Sequence, residues 1–245
     1  MKILVCISIT PDTTAKIAFT NNNTEFNKQG VQFIINPYDE ITLSRAIELR
    51  DALKGSVTVI NVGEVDAEQN IRKALAIGAD DAIRINAHPA DAFFVSKQIA
   101  EHIKEANYDI ILTGMETIDY NGAQVGGMLG EMLDIPTIFA VTKLDVDGKA
   151  ASVERLIDGG TEALTVPLPF VAASIEGMAE PRIPTMRGIM SARTKPLKVV
   201  EPVAGKPATE VVNYELPPAK KGCKFIDADK AEELIELLHS EAKVI

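Results

Sequence analysis

The sequence predicts an α/β fold: a mainly parallel sheet flanked by helices, with added antiparallel strands and an extended C-terminal arm. Three observations carry this expectation. In the first half, short Val- and Ile-rich runs alternate with longer amphipathic runs, as in βαβ units. After Pro136 the runs become strand-like and are separated by Gly-containing turns. From residue 201 the chain is extended and carries Pro and Lys. The 245 residues suit one large domain, or one domain with an appendage. We divide it into an α/β domain at 1–200 and an arm at 201–245 that ends in a helix.

Each element follows from its pattern. Lys2–Ile9, Val57–Val62, Asp81–Ile85 and Asp109–Thr113 are rich in Val and Ile and poor in charge. That suits parallel strands covered on both faces. Tyr38–Leu53 places Ile41, Leu43, Ala46, Ile47, Leu49 and Leu53 on one broad face and stops at Gly55. Ala67–Ile77 ends at Gly78, and Ala90–Ala106 repeats the theme. A helix is expected from about Asn121 to Leu133. Thr137–Thr142, Val153–Ile157, Ala163–Val166 and Phe170–Ser174 read as strands, with turns at Asp147-Gly148 and Asp158-Gly159-Gly160. Residues 175–200 lack periodicity and carry Pro181, Pro184 and Pro196, which oppose regular structure. Ala228–Ala242 reads as a last amphipathic helix, with Asp227 as its N-cap.

Composition excludes several functions. Apolar residues make up 46%, enough for a core. The formal charge of −10 argues against gripping nucleic acid. No apolar run reaches the ~18 residues of a membrane span. Met1-Lys2-Ile3-Leu4-Val5 is already strand-like, so no targeting peptide is expected, and the cytoplasm or an organelle matrix is the expected compartment. The two cysteines, Cys6 and Cys223, cannot build a disulfide scaffold or a multi-cysteine zinc site. His88, His102 and His239 are not at metal-ligand spacing. Cys6 in a buried strand suits packing better than nucleophilic chemistry.

Three features remain as candidates. Asn36-Pro37-Tyr38-Asp39-Glu40 opens a helix, with Asn as N-cap, Pro in the first turn and Asp39 where the dipole favours a carboxylate. The same loop would also sit at the carboxyl edge of the sheet. Gly122, Gly126 and Gly130 are four apart and would share a helix face, at about 1 kcal/mol each relative to Ala. Close packing on the sheet or the approach of a phosphate to the helix start would offset that cost. Neither is favoured by the spacing. No P-loop or G-x-G-x-x-G pattern is present. Third, segment 181–200 holds five basic residues and no acidic one, interleaved with Ile183, Met186, Ile189, Met190 and Leu197. Such a segment suits docking to an acidic partner or covering a core edge.

Taken in order, these motifs make the chain resemble the β subunit of the electron transfer flavoproteins. The most specific match is Val153-Glu154-Arg155-Leu156-Ile157-Asp158-Gly159-Gly160-Thr161-Glu162-Ala163-Leu164, leading to Pro169. Asn36 to Glu40 and Gly114, Ile118, Asp119, Gln124 and Gly126 also match. The resemblance implies an adenine-nucleotide-binding, Rossmann-like domain in a heterodimer with an α subunit that holds most of a redox-active FAD. It implies a structural AMP in β and electron transfer from acyl-CoA and related dehydrogenases to a membrane quinone oxidoreductase. The chain would be a carrier subunit rather than an independent catalyst.

Carried onto this sequence, the AMP site would use Cys6, Asn36, Pro37, Tyr38, Asp39 and Val62. It would also use Asp119, Tyr120, Asn121, Gly122, Ala123, Gln124, Val125, Gly126 and Gly127. A docking segment would present Met186 as its apolar tip, with Arg187, Ile189 and Met190 beside it. Thr13 stands where many members place an aromatic residue against the flavin. A bifurcating branch binds a second FAD in place of AMP and oxidises NADH. Its loop has Ala-Gln-Val-Gly-Pro, which Ala123-Gln124-Val125-Gly126-Gly127 matches in part, so AMP and FAD both remain open. A third reading is a free-standing adenine-nucleotide-binding regulatory module. It would need neither the basic 181–200 segment nor the 153–169 hairpin.

Overall fold

The computed structural model describes residues 1–219 and 222–245. Strands β1 (Lys2–Cys6), β2 (Ile9–Pro11), β3 (Phe19–Thr20), β4 (Glu25–Phe26) and β5 (Phe33–Ile35) precede helix α1 (Pro37–Leu53). Then come β6 (Ser56–Val62), α2 (Glu68–Ile77), β7 (Asp81–Ile85), α3 (Ala92–Ile103), β8 (Ile110–Gly114) and α4 (Val125–Leu133). The chain continues through β9 (Thr137–Asp147), β10 (Ala150–Ile157), β11 (Gly160–Pro167) and β12 (Phe170–Ser174). It ends with α5 (Met186–Ala192), β13 (Leu197–Val200) and α6 (Ala231–Leu237).

Among the described residues, nine strands form one sheet in the order β11-β10-β9-β12-β8-β1-β6-β7-β13. Pairing is parallel except for β9 with β10 and β10 with β11. The α/β fold with added antiparallel strands is the one expected. Alternation along β1 explains its unbroken apolar run. Ile3 and Val5 join Leu43, Ile47 and Leu75 of α1 and α2 in one core layer. Leu4 and Cys6 join Ile99, Ile103 and Leu129 of α3 and α4 in the other. Each fully buried Leu or Ile contributes about 1.5–3 kcal/mol, so the central strand is anchored from both faces.

Several expectations are corrected. Strand β1 stops at Cys6 instead of Ile9, because Ser8 N–H leaves the ladder for the Asp39 carboxylate. Ile9–Pro11 then pairs antiparallel with β5 outside the main sheet. Helix α4 starts at Val125, not Asn121, because Asn121 and Ala123 take positive φ of 49° and 50°. Gly122 therefore precedes the helix and shares no face with Gly126. Residues Met186–Ala192 form a helix despite the neighbouring prolines, capped by Thr185, whose hydroxyl accepts from Gly188 N–H at 3.0 Å. Asp227 makes no side-chain cap bond, because a 3-10 turn at Ala228–Lys230 separates it from α6.

Helices α2 and α5 exchange caps. Arg72 donates to the carbonyls of Ala192 and Lys195 at 2.8 and 2.7 Å, at the end of α5. Lys195 Nζ donates to the carbonyls of Leu75 and Ala79, at the end of α2. Each cation meets the carbonyl-rich terminus that attracts it. Gly188 makes this close approach feasible, since a Cβ there would overlap the Ala76 carbonyl oxygen.

Candidate functional site

The sheet order reverses between β1 and β8: the chain moves from β1 to β6 and β7, then returns to β8 on the other side. Ligands of open α/β sheets bind at the carboxyl edge where this happens. Here the ladder between the two strands ends at Val5 and Leu112, and the chains diverge. Asp39, in the first turn of α1, fills the gap. Its carboxylate accepts from Ser8 N–H at 2.7 Å and from Gly114 N–H at 2.8 Å. Burial pushes this carboxyl up to about 7, against the pull of those two N–H groups, with Glu40 adding a smaller push. Gly114 has no room for a side chain: a Cβ would overlap the Asp39 carboxylate and approach Tyr38 Cβ at 2.7 Å.

Asn36 acts differently from its expected role. It stands at the N-cap of α1 but makes no side-chain cap bond. Its amide instead bridges to the loop after β8, donating to the Glu116 carbonyl at 2.9 Å and accepting from Ile118 N–H at 3.3 Å. Pro37 begins the helix at its first turn. The Asn36-to-Asp39 segment thus ties the ends of β1 and β8 and the 114–118 loop into one piece.

Above this floor opens a cleft of about 2610 Å³. Of the expected nucleotide residues, Cys6, Asp39, Val62, Asp119, Tyr120 and Gly122 line it, as do Ala123, Gln124 and Val125. Thr13 lines it as well. Asn36, Pro37, Tyr38, Asn121, Gly126 and Gly127 stand outside its lining. The Cβ direction of Gly126 faces the sheet, 3.1 Å from Thr113 Oγ1 and 3.3 Å from Ala173 Cβ. A Cβ on Gly127 would stand 2.9 Å from the Phe139 ring, and one on Gly130 would overlap the Thr137 side chain. Tight helix-on-sheet packing therefore offsets the cost of these glycines in α4.

Three polar atoms mark the floor. Asn61 Oδ1, Thr10 Oγ1 and Thr113 Oγ1 are buried without a protein partner among the described residues. All three residues line the cleft. Asn61 is fixed by its own amide, which donates to the Ile7 carbonyl at 2.9 Å. Such orphans are rare in native interiors and cost about 1–3 kcal/mol each. A ligand with donors would satisfy them. The expected residue set omitted them, yet a signal existed: Asn61 and Thr113 are polar residues near the carboxyl ends of Val- and Ile-rich or Ile- and Leu-rich strands. The start of α4 adds free N–H groups, since Gln124 supplies no side-chain cap. Cys6 is buried, and burial first, then Asp39, pushes its thiol far up, so it is no nucleophile.

On the outer side, α5 exposes Met186 and Met190, with Ile183 exposed just before it. Arg187 lies beside them, and Ile189 turns toward the cleft wall.

Residues 24–204 match the family model for the electron transfer flavoprotein domain. The chain belongs to the electron transfer flavoprotein family. It is similar to the electron transfer flavoprotein subunit beta of Bacillus subtilis, with 36% identity over the full length of both chains. It is also 36% identical to the subunit beta of Syntrophomonas wolfei, over all of this chain and 98% of that one. A third relative is the caffeyl-CoA reductase-Etf complex subunit CarD of Acetobacterium woodii, 30% identical over 99% and 98% of the two chains. These end-to-end matches place the electron transfer flavoprotein β-subunit fold on the whole chain. Among the described residues, no helix is long and apolar enough to cross a membrane.

Proposed function

We propose that this chain pairs with an electron transfer flavoprotein α subunit and holds an AMP in the cleft at the β1–β8 divergence. The heterodimer carries electrons from acyl-CoA and related dehydrogenases to a membrane quinone oxidoreductase, in the cytoplasm or an organelle matrix. The observation that carries the nucleotide reading is the set of buried, unpartnered acceptors on the cleft floor. Asn61 Oδ1 suits an amino or hydroxyl donor of a nucleoside. Thr10 and Thr113 hydroxyls can each donate or accept. The uncapped start of α4 offers N–H groups and positive partial charge to a phosphate. Asp39 is a positioning residue here: it holds both cleft loops through backbone N–H groups and leaves no oxygen facing an anion unbonded.

FAD, held mostly by the α subunit, supplies the redox chemistry when bound. Thr13 lines the cleft as a small hydroxyl residue, so this chain offers the flavin side no aromatic ring at that position. The outer face of α5, with Met186, Arg187 and Met190, is the dehydrogenase-docking surface in this reading. Ile189, also exposed, lies between that face and the cleft wall.

A second reading is a bifurcating β subunit with a second FAD in the same cleft and NADH oxidation. Two observations favour it: the Ala123-Gln124-Val125-Gly126 stretch, and a cleft above the roughly 300–1,000 Å³ of common small-ligand pockets. A nucleotide count tests both readings. The chain is co-expressed with its α-type partner, the complex is purified, and heat-released ligands are quantified by chromatography. One FAD and one AMP per dimer supports the carrier. Two FAD without AMP supports bifurcation. Neither ligand, with no α subunit retained, defeats both and favours a regulatory module.

A further inference from the structure

Beyond β13 the chain does not leave the body at once. It runs back along α3, from His102 toward Asp91, and side chains of that helix fasten it. The His102 ring lies 3.1 Å from the Glu201 carbonyl. The buried Gln98 amide donates to the Val203 carbonyl at 2.8 Å and accepts from Val203 N–H at 2.7 Å. Asp91 Oδ2 accepts from the N–H groups of Ala208 and Thr209 at 2.6 and 2.7 Å, and from the Thr209 hydroxyl at 3.1 Å. Asp91 Oδ1 caps α3 through Phe94 N–H at 2.7 Å.

The segment then follows the cleft, which Glu210, Val211 and Tyr214 line. It lands on Tyr214. The Tyr214 N–H donates to the Asn23 carbonyl at 2.7 Å. Its ring stacks on Phe19 with centroids 4.9 Å apart and planes 11° from parallel. Its hydroxyl lies 3.0 Å from the Tyr120 hydroxyl. One ring thus joins the β3–β4 hairpin to the loop after β8, two separate parts of the cleft wall. Past Tyr214, the hydrogen bonds of the described tail residues stay within the tail, and α6 buries no residue.

We infer that residues 210–214 form a strap over the cleft, closed by the Tyr214–Tyr120–Phe19 clasp, and that the clasp sets how fast a nucleotide enters and leaves. This rests on reading the cleft as a nucleotide site. The strap is strongly fastened at its root and held by one residue at its tip, through one backbone bond and the Tyr214 side chain. The tip is therefore the end that opens. It is also the last tie before the tail, so a partner chain that takes the tail acts directly on the clasp.

A gate slows passage in both directions, whereas a ligand contact slows exit alone. That difference gives the test. The complex with the α-type partner is prepared as wild type, Tyr214→Ala and Tyr214→Phe. Uptake and chase of radiolabelled AMP are timed, or of FAD if the count finds two flavins. In Tyr214→Ala both rates should rise about tenfold, with Kd changed less than about threefold. Tyr214→Phe, which removes the hydroxyl contact alone, should raise both rates by about two- to threefold. Faster exit with unchanged entry makes Tyr214 a ligand contact and overturns the strap, and unchanged rates also overturn it. If the wild-type complex takes neither nucleotide, the site reading fails instead. Hydrogen exchange then decides the clasp. Protection of residues 203–214 should fall in Tyr214→Ala, and unaltered protection refutes it.

Discussion

The parallel and antiparallel parts of the sheet use the same kinds of residue to different ends. In the parallel part, the strands finish together at one edge, and the chain must leave each through a loop. Those loops converge where β1 and β8 diverge, and the cleft lies there. In the β9–β11 meander, the chain returns through two-residue turns and gathers no such loops. The glycines divide the same way. Gly148 and Gly159 adopt φ of +62° and +83° with open space around them. They serve turn handedness. Gly114 and Gly126 have crowded surroundings and no such φ. They serve close approach. Strand direction, more than composition, decides which half can build a site.

The largest expected effect probes close approach. Gly114→Val should cost about 3 kcal/mol or more, because it meets Asp39, Tyr38 Cβ at 2.7 Å and Asn36 Nδ2 at 3.1 Å. Urea unfolding midpoints read this directly, and a shift under 1 kcal/mol would contradict the crowding argument.

Asp39→Ala should cost about 2–3 kcal/mol, since it strands the N–H groups of Ser8 and Gly114. The pH dependence carries a distinct signature. Burial pushes the folded carboxyl up to about 7, whereas the unfolded one keeps the ordinary aspartate value of 3.8. The folded protein therefore holds a proton that the unfolded chain has released. Stability from this group is complete below the lower value and declines as pH rises through the higher one. Relative to Asp39→Asn, the wild type should lose stability between about pH 4 and 7, by ~1.4 kcal/mol for each pH unit crossed. A flat difference across that window would show that the carboxyl is not held up.

Gly126→Val should cost about 1–3 kcal/mol by pushing α4 off Thr113 and Ala173. Any nucleotide loss should track that destabilisation, because the new side chain enters the sheet interface rather than the cleft. Full stability with lost nucleotide would reverse this assignment. In the antiparallel half, Gly159→Ala should cost only about 1 kcal/mol, from its positive φ alone. A larger loss in thermal melts would mean that the turn also supports packing.

The parallel core was legible in the sequence because a two-faced strand leaves an unbroken Val/Ile run and its crossover helices leave wide apolar faces. The two meander turns were legible from Asp147-Gly148 and Asp158-Gly159. Long-range partners were not. Nothing local says that Asn36 reaches Glu116 and Ile118 instead of capping its own helix. Helix α5 was hidden because its stability comes from α2, across more than a hundred residues. The segment before α1 was missed because its strands are two or three residues long. At the site, the family motifs fall on loops that border the cleft, whereas polar residues near strand ends hinted at Asn61 and Thr113, and only their burial shows that they lack partners. Tyr214 had no local signal, since an aromatic residue in a Pro-rich stretch gains meaning only from the two rings it meets.

Helix α5 has seven residues, well short of the roughly 12–15 at which an isolated helix is marginal in water. It persists because Arg72 and Lys195 tie its end to α2 and because Gly188 rests on the Ala76 carbonyl. Its backbone freedom is therefore lost once, when the protein folds, and not again at each encounter. A protein that binds the exposed Met186 and Met190 face meets a surface that is ready-made. It has only flexible methionine side chains left to order. That combination favours brief, repeated contacts over one permanent grip.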